Sequence, residues 1–554
     1  MSKRLDKVKL VKGFKWERQD DLDNQGVPTY DLVKDAIKEG KTDIAKDLLD
    51  YLYFWEIKFV RDSNIDIVGG FPQFWMTRYG EEQLFDVYWE LLCRQRGVAS
   101  WPVPPVGLKH RQMTGFDYAM EHAIWMVRPH RMGRLDGTGG FVLEEYEDRY
   151  EVVWDPCYTG GRTRRGDPIA SMPPHTAPPF NYATNKVPHP WTWGKTGVTG
   201  YCIHCTLLHE LMDVAQTDGY LGQWVSGYPE NPWDPCRYIT YKNVDWIPEK
   251  YYTRLGKTKP KPKAPIPKFK DVTKPIKVTH SHELGPFWKV TDGEHWMNFV
   301  PRIKKALDEG KKAKALKLVD MLRAETALWH ARYPIRWNWS WIDLVIERFG
   351  YDEVHYALRS LYSRMEPPLA PDEPKLTKDQ IPSAEVRAKK AAAWGRGDLS
   401  GPNSEGSVKI IDEPDRIVME LNPCGSVGRN LLPMDKVDDL TAEIIKELVL
   451  PAGPAYSGPR GPLTEAPFNY KVTTKAHPIG WGKVGIPNLC TRCCVQFEMD
   501  AVARTGYLTT VIERPENATD PNCRWFFYKN LDDIPEKYYT RIGMKKPARQ
   551  AKKK

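Results

Sequence analysis

Eight of the ten cysteines fall into two sets of four with the same order: Cys157, Cys202, Cys205 and Cys236, then Cys424, Cys490, Cys493 and Cys523. Each set contains one C-x-x-C pair and two distant members, and Cys93 and Cys494 are left over. Thiolates are strong ligands for soft metals, and both members of a C-x-x-C pair can face one ion when a helix follows them. Cys157 and Cys236 each follow Asp-Pro, at a strand edge or turn where two remote ligands can complete a tetrahedron. Four thiolates suit a closed Zn²⁺ site and equally a [4Fe–4S] cluster. Spacing does not separate the two, because C-x-x-C serves both; the preferred reading is two zinc ions, one per set. Iron–sulfur clusters are the alternative, with redox dithiols or unligated thiols behind them.

Polar residues accompany the thiols. His189 and His477 each precede the C-x-x-C pair by thirteen residues, and Glu210 and Glu498 each follow it by five. His204 and His209 belong to the first set only. His189, His204 and Glu210 are therefore the candidate ligands, acids or bases. The plainer reading of His189 is a histidine fixing a Trp-rich turn, and that of Glu210 a helix carboxylate facing solvent. After Cys157 runs Thr159-Gly160-Gly161-Arg162-Thr163-Arg164-Arg165, whose N–H groups and guanidinium forks could take a carboxylate or phosphate. Arg162 and Arg164 are the candidate substrate-binding residues. The second half keeps one arginine here, Arg429, so any anion site is expected in the first half. The glycines could equally serve only the turn. A cluster of His280, His282, Glu283, Glu294 and His295 follows no spacing rule and reads as surface. No Walker loop, dinucleotide fingerprint, G-x-S-x-G elbow or H-E-x-x-H occurs.

Positioning these groups requires a frame, and the frame is an internal repeat. Ile247–Arg254 (IPEKYYTR) returns unchanged as Ile534–Arg541, Phe180-Asn181-Tyr182 as Phe468-Asn469-Tyr470, and Trp193-Gly194-Lys195 as Trp481-Gly482-Lys483. Upstream, Arg78-Tyr79-Gly80 matches Arg348-Phe349-Gly350, and Asp50 matches Asp320. Apolar periodicity predicts helices across Asp31–Phe59, broken at Gly40, and across Glu81–Cys93, with counterparts at Phe299–Leu328 and Tyr351–Met365. Strands are expected at Tyr150–Trp154, Arg237–Tyr241, Ile417–Leu421 and Arg524–Tyr528.

The fold class is therefore α+β, a tandem repeat whose halves each join a helical domain to a small metal-stapled α+β module. The expected boundaries are a helical domain over 1–140, a cysteine module over 141–256, and a Lys/Pro-rich linker over 257–278. A helical domain over 279–405, a second cysteine module over 406–543 and a basic tail over 544–554 follow. The offsets between matches place length changes at Arg387–Ser407 and Asp435–Pro462, both expected as exposed loops.

The formal charge of +9 concentrates in Lys257–Lys274 and Lys545–Lys554. Both read as solvated segments, the first a flexible tether, and little basic excess remains on the folded parts. Composition thus argues against a nucleic-acid partner. No apolar leader opens the chain and no segment reaches the length of a membrane span, so the expected location is the cytoplasm, without a membrane partner.

The run Asp-Pro-Cys…Gly-Gly-Arg, Trp-x-Trp-Gly-Lys…Tyr-Cys-x-His-Cys and Asp-Pro-Cys-Arg-Tyr resembles a bacterial family of about half this length. Its members have one helical stretch and one four-cysteine module. The resemblance covers nearly all of each repeat, supports the pairing of the four cysteines and implies no activity; Arg492, where the first half has His204, departs from it. Two functions are consistent with these residues. One is a metabolic enzyme or catalytic subunit acting on a small anionic aromatic or acyl substrate. The other is a non-catalytic iron–sulfur electron-transfer or zinc-stapled subunit of a larger complex, with a protein partner or a second copy.

Overall fold

The computed structural model describes residues 4–12, 16–96, 141–154, 157, 159–167, 172–216, 219–221, 225–276, 298–330, 333–365, 376–432, 462–466, 468–515, 517 and 520–548. The chain is α+β, and none of its described helices is long and apolar enough to cross a membrane. The Asp435–Pro462 insertion, apart from its last residue, and the His280–His295 cluster lie outside the described residues.

The chain divides into two compact units. One comprises residues 1–67, 303–442 and 460–554; the other comprises 68–302 and 443–459. This division does not follow the boundaries drawn from sequence: the first 67 residues fold with the second cysteine module. Helices Thr29–Lys38 and Thr42–Tyr51 bury Leu32, Val33, Ala36, Ile37, Ala45, Leu48 and Leu49. They are separated at Gly40, whose φ of +74° favours a residue without Cβ. In the same unit lie Lys312–His330 and, from Ile303 onward, the helix Phe299–Asp308, the two separated at Gly310 with φ +69°. The first helix of one pair packs on the second of the other. Lys34 Nζ meets Asp320 at 2.7 Å, and Lys304 Nζ meets Asp50 at 2.6 Å. Lys304 and Asp320 are the repeat counterparts of Lys34 and Asp50, so the contact is exchange-symmetric, as in a two-fold interface.

A small ribbon pairs β1 (Leu10–Val11) with β2 (Glu17–Arg18). Each unit then carries one four-stranded antiparallel sheet. The first is built from β3 (Phe141–Glu145), β4 (Arg149–Trp154), β5 (Val225–Ser226) and β6 (Cys236–Tyr241), in the order β3-β4-β6-β5. The second uses β7 (Lys409–Asp412), β8 (Arg416–Leu421), β9 (Val511–Glu513) and β10 (Cys523–Tyr528), in the order β7-β8-β10-β9. Trp154 pairs with Cys236 and Leu421 with Cys523. That register sets the first residue of the ligand-bearing strand beside the end of its partner, three residues before Cys157 or Cys424.

Two expectations are corrected. Arg387–Ser407 is not an exposed loop. Helix Ala384–Gly397 buries Ala388 and Ala392, and packs on β8, β10 and the turn Leu52–Ile57. Its Arg396 is buried with Glu56 and also donates to the Gln25 and Tyr51 side-chain oxygens. The charge is legible in sequence but its partner, hundreds of residues away, is not.

The Lys257–Lys274 segment is exposed but not a free tether. Lys263 N–H donates to Asp245 at 3.0 Å, Lys270 N–H to Glu147 at 2.6 Å and Ile276 N–H to the Glu145 carbonyl at 2.6 Å. Phe269 meets the Trp246 ring edge-on at 5.0 Å. We expect trypsin to cut this segment several-fold faster in Asp245→Ala than in the wild-type chain, because the substitution removes the anchor at Lys263. Equal rates in timed digests analysed by mass spectrometry would refute the strap.

Candidate metal centre

The C-x-x-C pairs lie within helical turns, not before them: Cys202 and Cys205 in Gly200–Thr206, and Cys490 and Cys493 at the ends of Cys490–Cys493. A spacing of three puts both sulfurs on one helix face. Each turn continues into a π-helical stretch, Leu207–Leu211 or Cys494–Met499, against which the second helix of the same repeat packs (Leu84–Arg96 or Tyr351–Met365).

Strand register brings the remote cysteines to these helices. In the first set Cys236 hydrogen-bonds with Cys157, and the charges of Cys157, Cys202 and Cys205 all bear on it. In the second, Cys490, Cys424 and Cys523 all bear on Cys493. None of these cysteines is in a disulfide. Burial is the largest cause pushing Cys202 and Cys490 up to about 11, with a neighbouring thiolate adding to it. A cation among the sulfurs reverses that repulsion. Gly160 is required by close approach, since a Cβ there would lie 2.5 Å from the Cys202 sulfur.

Positive charge surrounds the second set. The Cys424 sulfur accepts backbone N–H groups from Ser426, Val427 and Gly428, a nest formed as the chain turns into the short helix Val427–Asn430. Arg514 donates to the Cys490 sulfur. Arg492, 4% exposed, bears on Cys493 and donates to Asn64 Oδ1 at 2.7 Å. Asp398, pushed up to about 6 by burial, lies among Cys424, Arg429 and Arg492 and accepts the Ser426 hydroxyl at 2.7 Å.

Among the described residues, the His, Cys, Asp and Glu ligand atoms that come within 4.8 Å of one another as a trio are those of Glu81, Glu82 and His189; neither cysteine set closes so far.

The proposed catalytic and substrate residues each have their own structural partners. Glu210 does not face solvent. It is fully buried, accepts the Trp193 indole N–H at 3.1 Å and pairs with Arg254 at 2.9 Å. Glu498 repeats this with Trp481 at 2.9 Å and Arg541 at 2.7 Å, so the matched glutamates tie each module's Trp-Gly-Lys turn to its IPEKYYTR helix. Arg164 donates to the carbonyls of Pro229 and Glu230, and its guanidinium lies 3.8 Å from the Tyr228 ring centroid. Arg162 is 2% exposed, with Nη1 3.7 Å from the Met172 sulfur. His189 stacks on Trp191 at 4.2 Å and meets Glu81 at 3.2 Å, while Glu81 also accepts the N–H groups of Lys186 and Val187. His477 pairs likewise with Asp352 at 3.1 Å.

His204 does reach the thiols. With Nδ1 turned to the Tyr201 carbonyl, its Nε2 lies 3.6 Å from the Cys205 sulfur. Tyr238, which the sequence reading passed over, donates to the same sulfur at 2.9 Å. Its signal was available, since it stands two residues after Cys236 on a strand and so shares that residue's face. Arg514 and Asp398 had no such signal.

No family model matches the chain, and no curated protein or solved structure matches it.

Proposed function

We propose that this chain is a metal–thiolate protein, a tandem duplication with one four-cysteine centre in each half. The observation that carries the reading is the positive charge fixed around the second set: three N–H groups on Cys424, a guanidinium donating to Cys490 and another beside Cys493. Oxygens of Asn64 and Asn522 accept from Arg492 and Arg514 without neutralising them, and Asp398 is the carboxylate that bears on Arg492. Four thiolates around a metal centre carry the negative charge that offsets them.

Four thiolates suit either occupant, and the O–H, N–H and guanidinium donors on these sulfurs are the groups that set the potential of an iron–sulfur cluster. The function that follows is one-electron transfer to and from a protein or flavin partner, the chemistry such clusters supply. The chain's own residues supply the ligands, exclude water and set the charge around the sulfurs. The burial of Glu210, Arg162 and Arg164 among structural partners supports this non-catalytic reading over an anion-binding enzyme.

Anaerobically purified protein should be brown, with about eight iron atoms per chain, four for each cluster. A colourless protein with about two zinc ions would keep the thiolate centres and replace electron transfer with a zinc-stapled scaffold. Protein without bound metal would overturn both.

A further inference from the structure

The two centres are alike in their cysteines and unlike in what touches the last sulfur of the C-x-x-C pair. At Cys205 the neighbours bear exchangeable protons. Tyr238 Oη donates to the sulfur at 2.9 Å, and His204 Nε2 stands 3.6 Å from it. His209 meets the Tyr238 ring edge-on at 5.2 Å and lies 6.4 Å from the His204 ring. His204, His209 and Tyr238 are all at least nine-tenths buried, and Cys205 is partly exposed.

At Cys493 every one of these positions has changed. Arg492 replaces His204, Phe497 replaces His209 and Trp525 replaces Tyr238, with the Phe497 and Trp525 rings 4.7 Å apart. The backbone frame is the same in both, since Tyr238 and Trp525 each stand two residues beyond the strand's first cysteine. Side chains alone distinguish the centres. One sulfur accepts a directed O–H bond, and its counterpart is approached by an aromatic wall and a fixed positive charge.

Resting on the iron–sulfur reading above, we propose that Tyr238 tunes the first centre, its O–H bond to Cys205 raising that centre's reduction potential independently of the second. A hydrogen bond draws electron density from a coordinated sulfur, so the centre accepts an added electron more readily. Tyr238 is a positioning and tuning residue, since it acts through Cys205. At the second centre the corresponding residue, Trp525, hydrogen-bonds Cys523 and not the C-x-x-C sulfur Cys493. The centres thereby differ at the last sulfur of each C-x-x-C pair, which meets a tyrosine O–H at Cys205 and the Arg492 guanidinium at Cys493.

The test is a potentiometric titration with dithionite, followed by electron paramagnetic resonance, on the full-length iron-loaded protein. Wild type should give two one-electron transitions. Tyr238→Phe should move one of them to lower potential by roughly tenfold in its reduction equilibrium, about 59 mV for one electron, and leave the other in place. Trp525→Tyr, which exchanges the indole N–H on Cys523 for a hydroxyl at the position that meets the C-x-x-C sulfur in the first centre, should move the other transition and spare the first. Two clusters whose potentials ignore both substitutions, or which shift together, overturn this inference while leaving the iron–sulfur reading intact. Protein that holds no iron overturns that reading, and this inference with it.

Discussion

Cys490→Ser should remove one of the two metal centres and destabilise the unit that contains it by more than about 4 kcal/mol. Cys490 is 5% exposed, on the helical turn that faces Cys424 and Cys523. Serine is nearly isosteric but a poor ligand for a soft metal, so the loss is of coordination and not of volume. The remaining three thiolates would stand beside Arg492 and Arg514 with their charge no longer shared by a bound metal. Metal analysis should report about half the wild-type content, and calorimetry should show one unfolding transition moved to lower temperature. Full metal content together with an unchanged transition would remove Cys490 from the ligand set. Cys494→Ser, one position along from the ligand Cys493, is the internal control. Its sulfur faces the Pro478 carbonyl at 3.4 Å, and metal content should be preserved.

The second large effect lies far from the cysteines. Glu56→Gln should cost about 3–5 kcal/mol by leaving the Arg396 guanidinium charged and uncompensated in the interior. Both side chains are 1% exposed. Arg396 also donates to Gln25 Oε1 and to Tyr51 Oη, each at 3.0 Å, and Glu56 accepts the Thr29 hydroxyl at 2.9 Å. Those neutral partners orient the pair but cannot balance its charge. The double substitution Glu56→Leu with Arg396→Met should recover much of the loss, because an apolar pair has no desolvation penalty to offset. Denaturant unfolding of the two single variants and the double variant measures this coupling. Additive losses would mean that the two charges are not a pair.

What could be read from the sequence was what recurs or alternates locally. Strands β4, β6, β8 and β10 each lie within one residue of their expected starts, since apolar patterning and a terminal cysteine mark them. Helix Tyr351–Met365 has its expected bounds. Partner choice across long separations was not legible. Glu210 and Glu498 matched across the repeat, and the match said nothing of the tryptophan and arginine that neutralise them in the interior. Arg162 and Arg164 were read as waiting for an anion. Arginine beside glycine serves as readily to bind the carbonyls of a neighbouring loop, which is where Arg164 goes. The alanine-rich Ala384–Gly397 was mistaken for a loop because a gap in the repeat alignment marks only a difference from the other half. It carries no information about burial.

The reciprocal ion pairs Lys34–Asp320 and Lys304–Asp50 have the form of a contact between two identical molecules. Between separate molecules such a contact is at the mercy of dilution, and each partner must forgo its freedom to tumble and diffuse before the pairs can form. A peptide chain joining the partners makes that encounter intramolecular, at a local concentration that no dilution lowers. It also ends the obligation of sameness. In a true dimer any substitution appears on both sides of the axis at once, so histidine and arginine could never face the same thiol position in its two copies. Here His204 and Arg492 do so. Joining the copies is what makes a difference between the two cysteine sets heritable.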